Sequence, residues 1–92
     1  MTDLNPLLDM VRGDLSDNKF AQKCGIPRVS ISKYRNNHAF PSNDTLDVIA
    51  KASGLDPVMV YLLAYAERID NPDVAKRLKE MAQENNASDT IN

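Results

Sequence analysis

Apolar residues recur along this chain at helical spacing. Leu4, Leu8, Val11 and Leu15 make one stripe, Leu46, Ile49, Ala50 and Ser53 a second, and Val74, Leu78 and Met81 a third. Steps of three and four put such residues on one face of an α-helix, turned toward a core. No alternating run of β-branched residues bounded by turns calls for a strand. Punctuation marks the helix ends. Asn5-Pro6, Asp56-Pro57 and Asn71-Pro72 each place a capping side chain before a proline, and proline at a helix start loses no needed hydrogen bond. Gly13, Gly25 and Gly54 each follow a helical stretch, where the residue just past the end takes a left-handed conformation. The pattern predicts helices over 5–12, 16–24, 28–36, 43–53, 57–69 and 72–84, an all-α fold class. Residues 1–84 read as one domain, and 85–92 as a polar, flexible tail.

Composition narrows the function classes. Apolar residues at 42% and charged ones at 26% suit a globular chain of 92 residues with a single core. No apolar run reaches the roughly 18 residues of a membrane span, and Met1 to Met10, with two aspartates and no Lys or Arg, does not read as a secretory signal. A cytoplasmic location without membrane contact is expected. Asn86-Ala87-Ser88 then matches a glycosylation sequon by chance. One cysteine and one histidine do not make a tetrahedral zinc site, and no nucleophile is patterned with a base. Neither metal, cofactor nor catalysis is expected.

The net charge of −2 hides a strong asymmetry. Between Asp17 and Asp44 the chain has Lys19, Lys23, Arg28, Lys33 and Arg35, with His38 beside them, and no acid. The remainder carries six basic and thirteen acidic residues. A polyanion responds to such a local field rather than to the average.

That basic stretch has a pattern of its own. Phe20, Ala21 and Cys24 form the inner face of one helix, Gly25 ends it, Ile26 fills the corner, and Ile31 and Tyr34 turn a second helix inward. A small residue at 21 lets the second helix cross closely, and glycine at 25 permits a tight turn. This is the geometry of a helix-turn-helix. Ala21, Gly25, Ile26, Ile31 and Tyr34 resemble the motif of the Cro and lambdoid phage repressor family, also called the xenobiotic-response-element type. The resemblance covers roughly residues 4 to 69, with Ser53-Gly54-Leu55-Asp56-Pro57 similar to the family's link between its fourth and fifth helices. It implies a five-helix lambda-repressor-like DNA-binding domain, here with an additional C-terminal helix. A narrower likeness to small regulators of filamentous prophages lies in Ala66-Glu67-Arg68 and Asn71-Pro72. Two positions depart from the family. Asp17 stands where Gln usually holds a phosphate, so Asn18 or Ser16 is expected to substitute, and Pro27 stands where the recognition helix usually has a Ser or Thr cap.

With Ile31 and Tyr34 inward, Arg28, Val29, Ser32 and Lys33 point outward, and the resemblance implies that they face base edges in the major groove. Arg28 suits guanine O6 and N7, and Val29 a thymine methyl. Asn18, Lys19, Lys23, Arg35, Asn36 and His38 are the expected phosphate contacts. Asn37 falls where the family often has Gly, a left-handed position that asparagine tolerates. Cys24 reads as a small core residue, and Phe40 as a loop aromatic packed on the core. Ser42 or Asn43 is expected to cap the fourth helix.

From Val58 to Ala66 every residue is apolar or aromatic. One face of that helix closes the core and the other needs a cover. The expectation is a homodimer through the fifth and sixth helices, with Val58, Tyr61, Leu62, Leu63, Tyr65 and Leu78 at the interface. The whole reads as a transcriptional repressor of phage or prophage origin on a palindromic double-stranded DNA operator. An antitoxin of a toxin–antitoxin pair, or an adaptor that has lost DNA binding, are the alternatives, with a toxin or antirepressor as possible protein partner.

Overall fold

The computed structural model describes residues 3–91, with side chains through Glu84. Six helices follow one another: α1 Asn5–Arg12, α2 Asp17–Cys24, α3 Arg28–Arg35, α4 Asn43–Ser53, α5 Pro57–Ala66 and α6 Pro72–Ile91. No strand occurs among the described residues. The all-α expectation, five helices and one more, is met.

Side-chain caps explain most of the starts. Ser16 Oγ accepts from the Lys19 N–H at 3.1 Å, Ser42 Oγ from Thr45 at 3.2 Å and Asp56 Oδ1 from Val58 at 2.8 Å. Asn71 Oδ1 accepts from Asp73 and Val74 at 3.0 and 3.3 Å. Each satisfies an amide that the first turn leaves without a partner. Pro27 has no acceptor to offer, and α3 begins without a side-chain cap, as its sequence implies.

Asn5 departs from its reading. It is the first helical residue rather than the cap, Leu4 precedes it, and Asp3 Oδ1 takes its N–H at 3.0 Å. Its own side chain is thereby free to reach another helix. The ends of α5 and α6 also differ from the sequence boundaries. Past Ala66, the amides of Glu67, Arg68 and Ile69 donate to carbonyls three residues back, at 3.2, 3.0 and 3.4 Å. This tightens the chain into a turn before Asn71-Pro72, where proline disfavours helix for the residue ahead of it. Helix α6 runs on to Ile91, beyond the boundary at 84. The sequon at 86–88 lies outside the described side chains.

One core joins five helices. Leu4, Leu7, Leu8 and Val11 meet Phe20 and Ala21, Ile31 and Tyr34, Leu46, Ile49 and Ala50, and Val60 and Ala64. The stripes of α1 and α4 face it as expected. That of α6 does not. Val74 and Met81 are 45% and 40% exposed, while Ala82 is fully buried. Helix α6 packs chiefly on α5, and its inward face is small because the two helices lie close. The large apolar residues are displaced to one side of the seam.

Candidate nucleic-acid interface

The corner between α2 and α3 sets the site. Gly25 lies at φ 73°, ψ 28°. Its N–H donates to the Gln22 carbonyl at 3.1 Å, and the Ile26 N–H to that of Ala21 at 3.1 Å. This paired closure is the Schellman end of a helix, and it requires the left-handed conformation that glycine adopts without strain. Helix α3 ends in the same way. Asn37 takes φ 59°, its N–H donates to Tyr34 at 3.2 Å, and that of His38 to Lys33 at 2.8 Å. The ends of both α2 and α3 are therefore fixed by backbone geometry.

Its rotation is fixed by burial. Ile31 and Tyr34 are anchored in the core, and Ala21 is buried where α2 and α3 come together. Arg28, Val29, Ser32 and Lys33 consequently stand in solvent on the opposite face, Val29 with 59% of its surface exposed. An exposed valine beside two cations has no packing role within this chain. Asn18, Lys19 and Lys23 are exposed along α2, and His38 is exposed past α3. Asn36 is also exposed, its Nδ2 donating to the Ser32 carbonyl at 2.9 Å. Among the described residues no ion pair occupies Lys19, Lys23, Arg28 or Lys33. These four cations present their charge to solvent.

Arg35 is placed differently. Its Nε and Nη2 donate to Asp17 Oδ2 and Oδ1 at 3.1 and 2.8 Å, a two-toothed pair. Its Nη1 donates to Asp9 Oδ1 at 2.8 Å and to Asn5 Oδ1 at 2.9 Å. Asn5 Nδ2 returns a bond to the Arg35 carbonyl at 3.0 Å. The guanidinium expected at a phosphate is thus committed to α1 and α2. Asp17, standing where the family has a Gln on the phosphate, is the carboxylate that neutralises it. Hydrogen bonding to Arg35, aided by the charges of Arg35 and Arg12, holds the Asp17 carboxyl below its ordinary value. Asp9 is lowered through its bond to Arg35, and Arg35 is raised by its bond to Asp17. Ser16, the other expected substitute, is spent on the α2 cap.

Other readings hold their places. Cys24 is half-buried against the core, and burial pushes its thiol pKa up, which suits packing rather than reactivity. Phe40 packs on Tyr65 with ring centroids 5.4 Å apart, and Arg68 lies 4.7 Å from the Phe40 ring centre. Tyr65 Oη bonds Asn43 Oδ1, and Tyr61 Oη donates to Asp47 at 2.7 Å. These tyrosines tie α5 to the start of α4, a role that their apolar neighbourhood concealed.

Of the six residues expected at a dimer interface, Val58 is 55% exposed and Tyr61 and Leu62 line a shallow apolar groove with Pro57 and Asp47. Leu63 instead lines a groove with Pro6, Leu7 and Met10 of α1 and Lys79 and Gln83 of α6. Tyr65 is packed within the chain. Helical geometry puts Val58 and Leu62, together with Val74, Leu78 and Met81, on the side of the α5–α6 seam away from the α1 groove. Val74 and Met81 join this patch although the sequence reading turned them inward.

A helix pair joined by a tight corner, with an anchored inner face and a cation-lined outer one, defines a helix-turn-helix protein. A family model for the helix-turn-helix matches residues 10–59, and the chain belongs to that family, the Cro/C1 type of DNA-binding regulatory domain. It is not an enzyme family. No curated protein and no solved structure matches the chain. Among the described residues, no helix is long and apolar enough to cross a membrane.

Proposed function

We propose that this protein is a sequence-specific transcriptional repressor that occupies a palindromic operator as a homodimer. The observation that carries the reading is the outer face of α3: Arg28, Val29, Ser32 and Lys33 stand exposed on a helix whose rotation and C-terminal end are fixed. Such a face offers a two-toothed donor for guanine, a methyl contact for thymine and shorter polar groups for either. Lys19 and Lys23, with Asn18, Asn36 and His38, lie where they steady the helix on the phosphates. Occupying a promoter is sufficient for repression. The likeness of Ala66-Glu67-Arg68 and Asn71-Pro72 to prophage regulators supports a phage or prophage setting.

A second copy is the occupant we assign to the patch formed by Val58, Leu62, Val74, Leu78 and Met81. Among the described side chains, Val58, Val74 and Met81 are the exposed large apolar residues of α5 and α6, and a two-fold axis beside Leu78 sets the patch against its own copy, the self-complementary contact of a symmetric dimer. The dimer then places two α3 helices about 34 Å apart, in successive major grooves. The acidic remainder of the chain and Asp17 favour an adaptor without DNA binding, and the pairing of Asp17 with Arg35 accounts for the second of these within a DNA-binding fold.

Selection from a random duplex pool tests the reading. Enrichment of an inverted repeat with half-sites about one helical turn apart is expected. Failure to enrich any sequence would replace it by the adaptor reading, and an enriched operator together with stable capture of a co-expressed toxin-type protein by the antitoxin reading.

A further inference from the structure

We propose that Asp17 is an internal stand-in for a DNA phosphate, occupying an anion site on Arg35 that the recognition helix would otherwise present to the backbone. The proposal rests on the DNA-binding reading above and goes beyond it. Asp17 takes the Nε–Nη2 edge of Arg35 with both oxygens, at 3.1 and 2.8 Å, the fork geometry by which guanidinium also holds phosphate. Asp9 and Asn5 take the remaining nitrogen from the α1 side. The Asp17 edge opens on a cleft lined by Asp17, Arg28, Ile31, Ser32 and Arg35, beside the base-reading face of α3. The Arg35 side chain keeps 20% of its surface exposed, so the edge is reachable once the carboxylate leaves.

The consequence is a ceiling on sequence-independent affinity. Phosphate contacts raise affinity for every duplex alike, whereas base contacts discriminate. With Arg35 neutralised, the phosphate term falls to Lys19, Lys23, Lys33 and the polar groups around them. A larger share of the total then comes from base edges.

The test uses a 24-base-pair duplex of mixed sequence and the full chain, titrated between about 50 and 300 mM salt. Asp17→Ala is expected to bind more tightly, by about 8-fold at 0.1 M salt, with a log–log salt slope steeper by about 0.9, the signature of one added phosphate contact. Asp17→Ala/Arg35→Gln, which removes both charges of the pair, should restore the slope to the wild-type value. A purely structural role for the pair would alter melting temperature without moving the slope. In wild-type protein, the Arg35 Nε–H resonance should stay in place at saturating duplex while that of Arg28 shifts, a measurement independent of whether either variant folds. An unchanged slope in a folded Asp17→Ala, a steeper slope that persists in Asp17→Ala/Arg35→Gln, or a shifted Arg35 resonance overturns the proposal and leaves DNA binding intact. No binding by wild type at any salt overturns the DNA reading, and this proposal with it.

Discussion

The backbone at Gly25 carries the angle between α2 and α3, so its substitution tests the corner directly. The residue sits at φ 73°, and a Cβ added there would meet nothing within 4 Å. Steric clash is absent, which leaves only the conformational term. A residue with a Cβ loses about 1–2 kcal/mol in the left-handed region, and alanine recovers about 0.4–1 kcal/mol through a less flexible unfolded chain. Gly25→Ala should therefore cost about 1 kcal/mol. For a domain this size that lowers Tm by about 4–8 °C. Gly25→Val, β-branched and more strongly excluded from positive φ, should cost more, and Gly25→Asn less, because asparagine tolerates this region. Asn37 already does so at φ 59° in the same chain. Gly54 is an internal control with the same φ of 73° and the same empty surroundings. Gly54→Ala should match Gly25→Ala in calorimetric melts. A Tm unmoved by Gly25→Ala, or an asparagine variant as damaged as the valine one, would refute the assignment of strain to this corner.

Four further outcomes are expected. Arg28→Ala should lose about 1–3 kcal/mol of discrimination at one base pair per half-site, while Lys23→Ala weakens all duplexes alike and flattens the salt slope by about 1, both read by titration at several salt concentrations. Asp17 and Asp9 are held below their ordinary values by Arg35, so their contribution to stability is complete above about pH 4 and is lost as pH falls through the lowered values; melts should show a steeper acid decline in wild type than in Arg35→Gln. The hydrogen bond to Asp47 raises the Tyr61 phenol to about 12, so ultraviolet titration should find the Tyr61 phenol ionising late, and Asp47→Asn should bring it back toward the ordinary value. Leu62→Glu with Met81→Glu should give folded monomers that lose roughly two to four orders of magnitude on a full palindrome, by loss of effective concentration, and little on a half-site; sedimentation equilibrium and footprinting would check this.

The helices were legible because their signals are local. Caps and glycines act within a turn of where they stand, and Ser42, Asp56 and Asn71 all accept the expected amides. The face of α6 was not legible, since weighting large apolar residues made Val74, Leu78 and Met81 the inner stripe. Close packing against α5 selects for small volume, so the fully buried residue is Ala82. Side-chain size, more than hydrophobicity, decides which face of a helix approaches a close neighbour.

The site divides along the same line. The outward set on α3 could be read because two anchors, Ile31 and Tyr34, fix a helix's rotation and leave the other positions no choice. Arg35 could not be read in that way. Its partners lie 18, 26 and 30 positions away, beyond any periodicity, and they meet only because α1 and α2 pack beside the end of α3. Arg35 as a phosphate contact and Asp17 as a departure from the family's Gln are readings of each charge separately. Together they make a nearly neutral pair at the edge of the interface, so the chain meets DNA with fewer available cations than its basic segment contains. The charge a polyanion meets is what remains after the acids within reach have taken their share, and that remainder is set by tertiary packing rather than by the segment's composition.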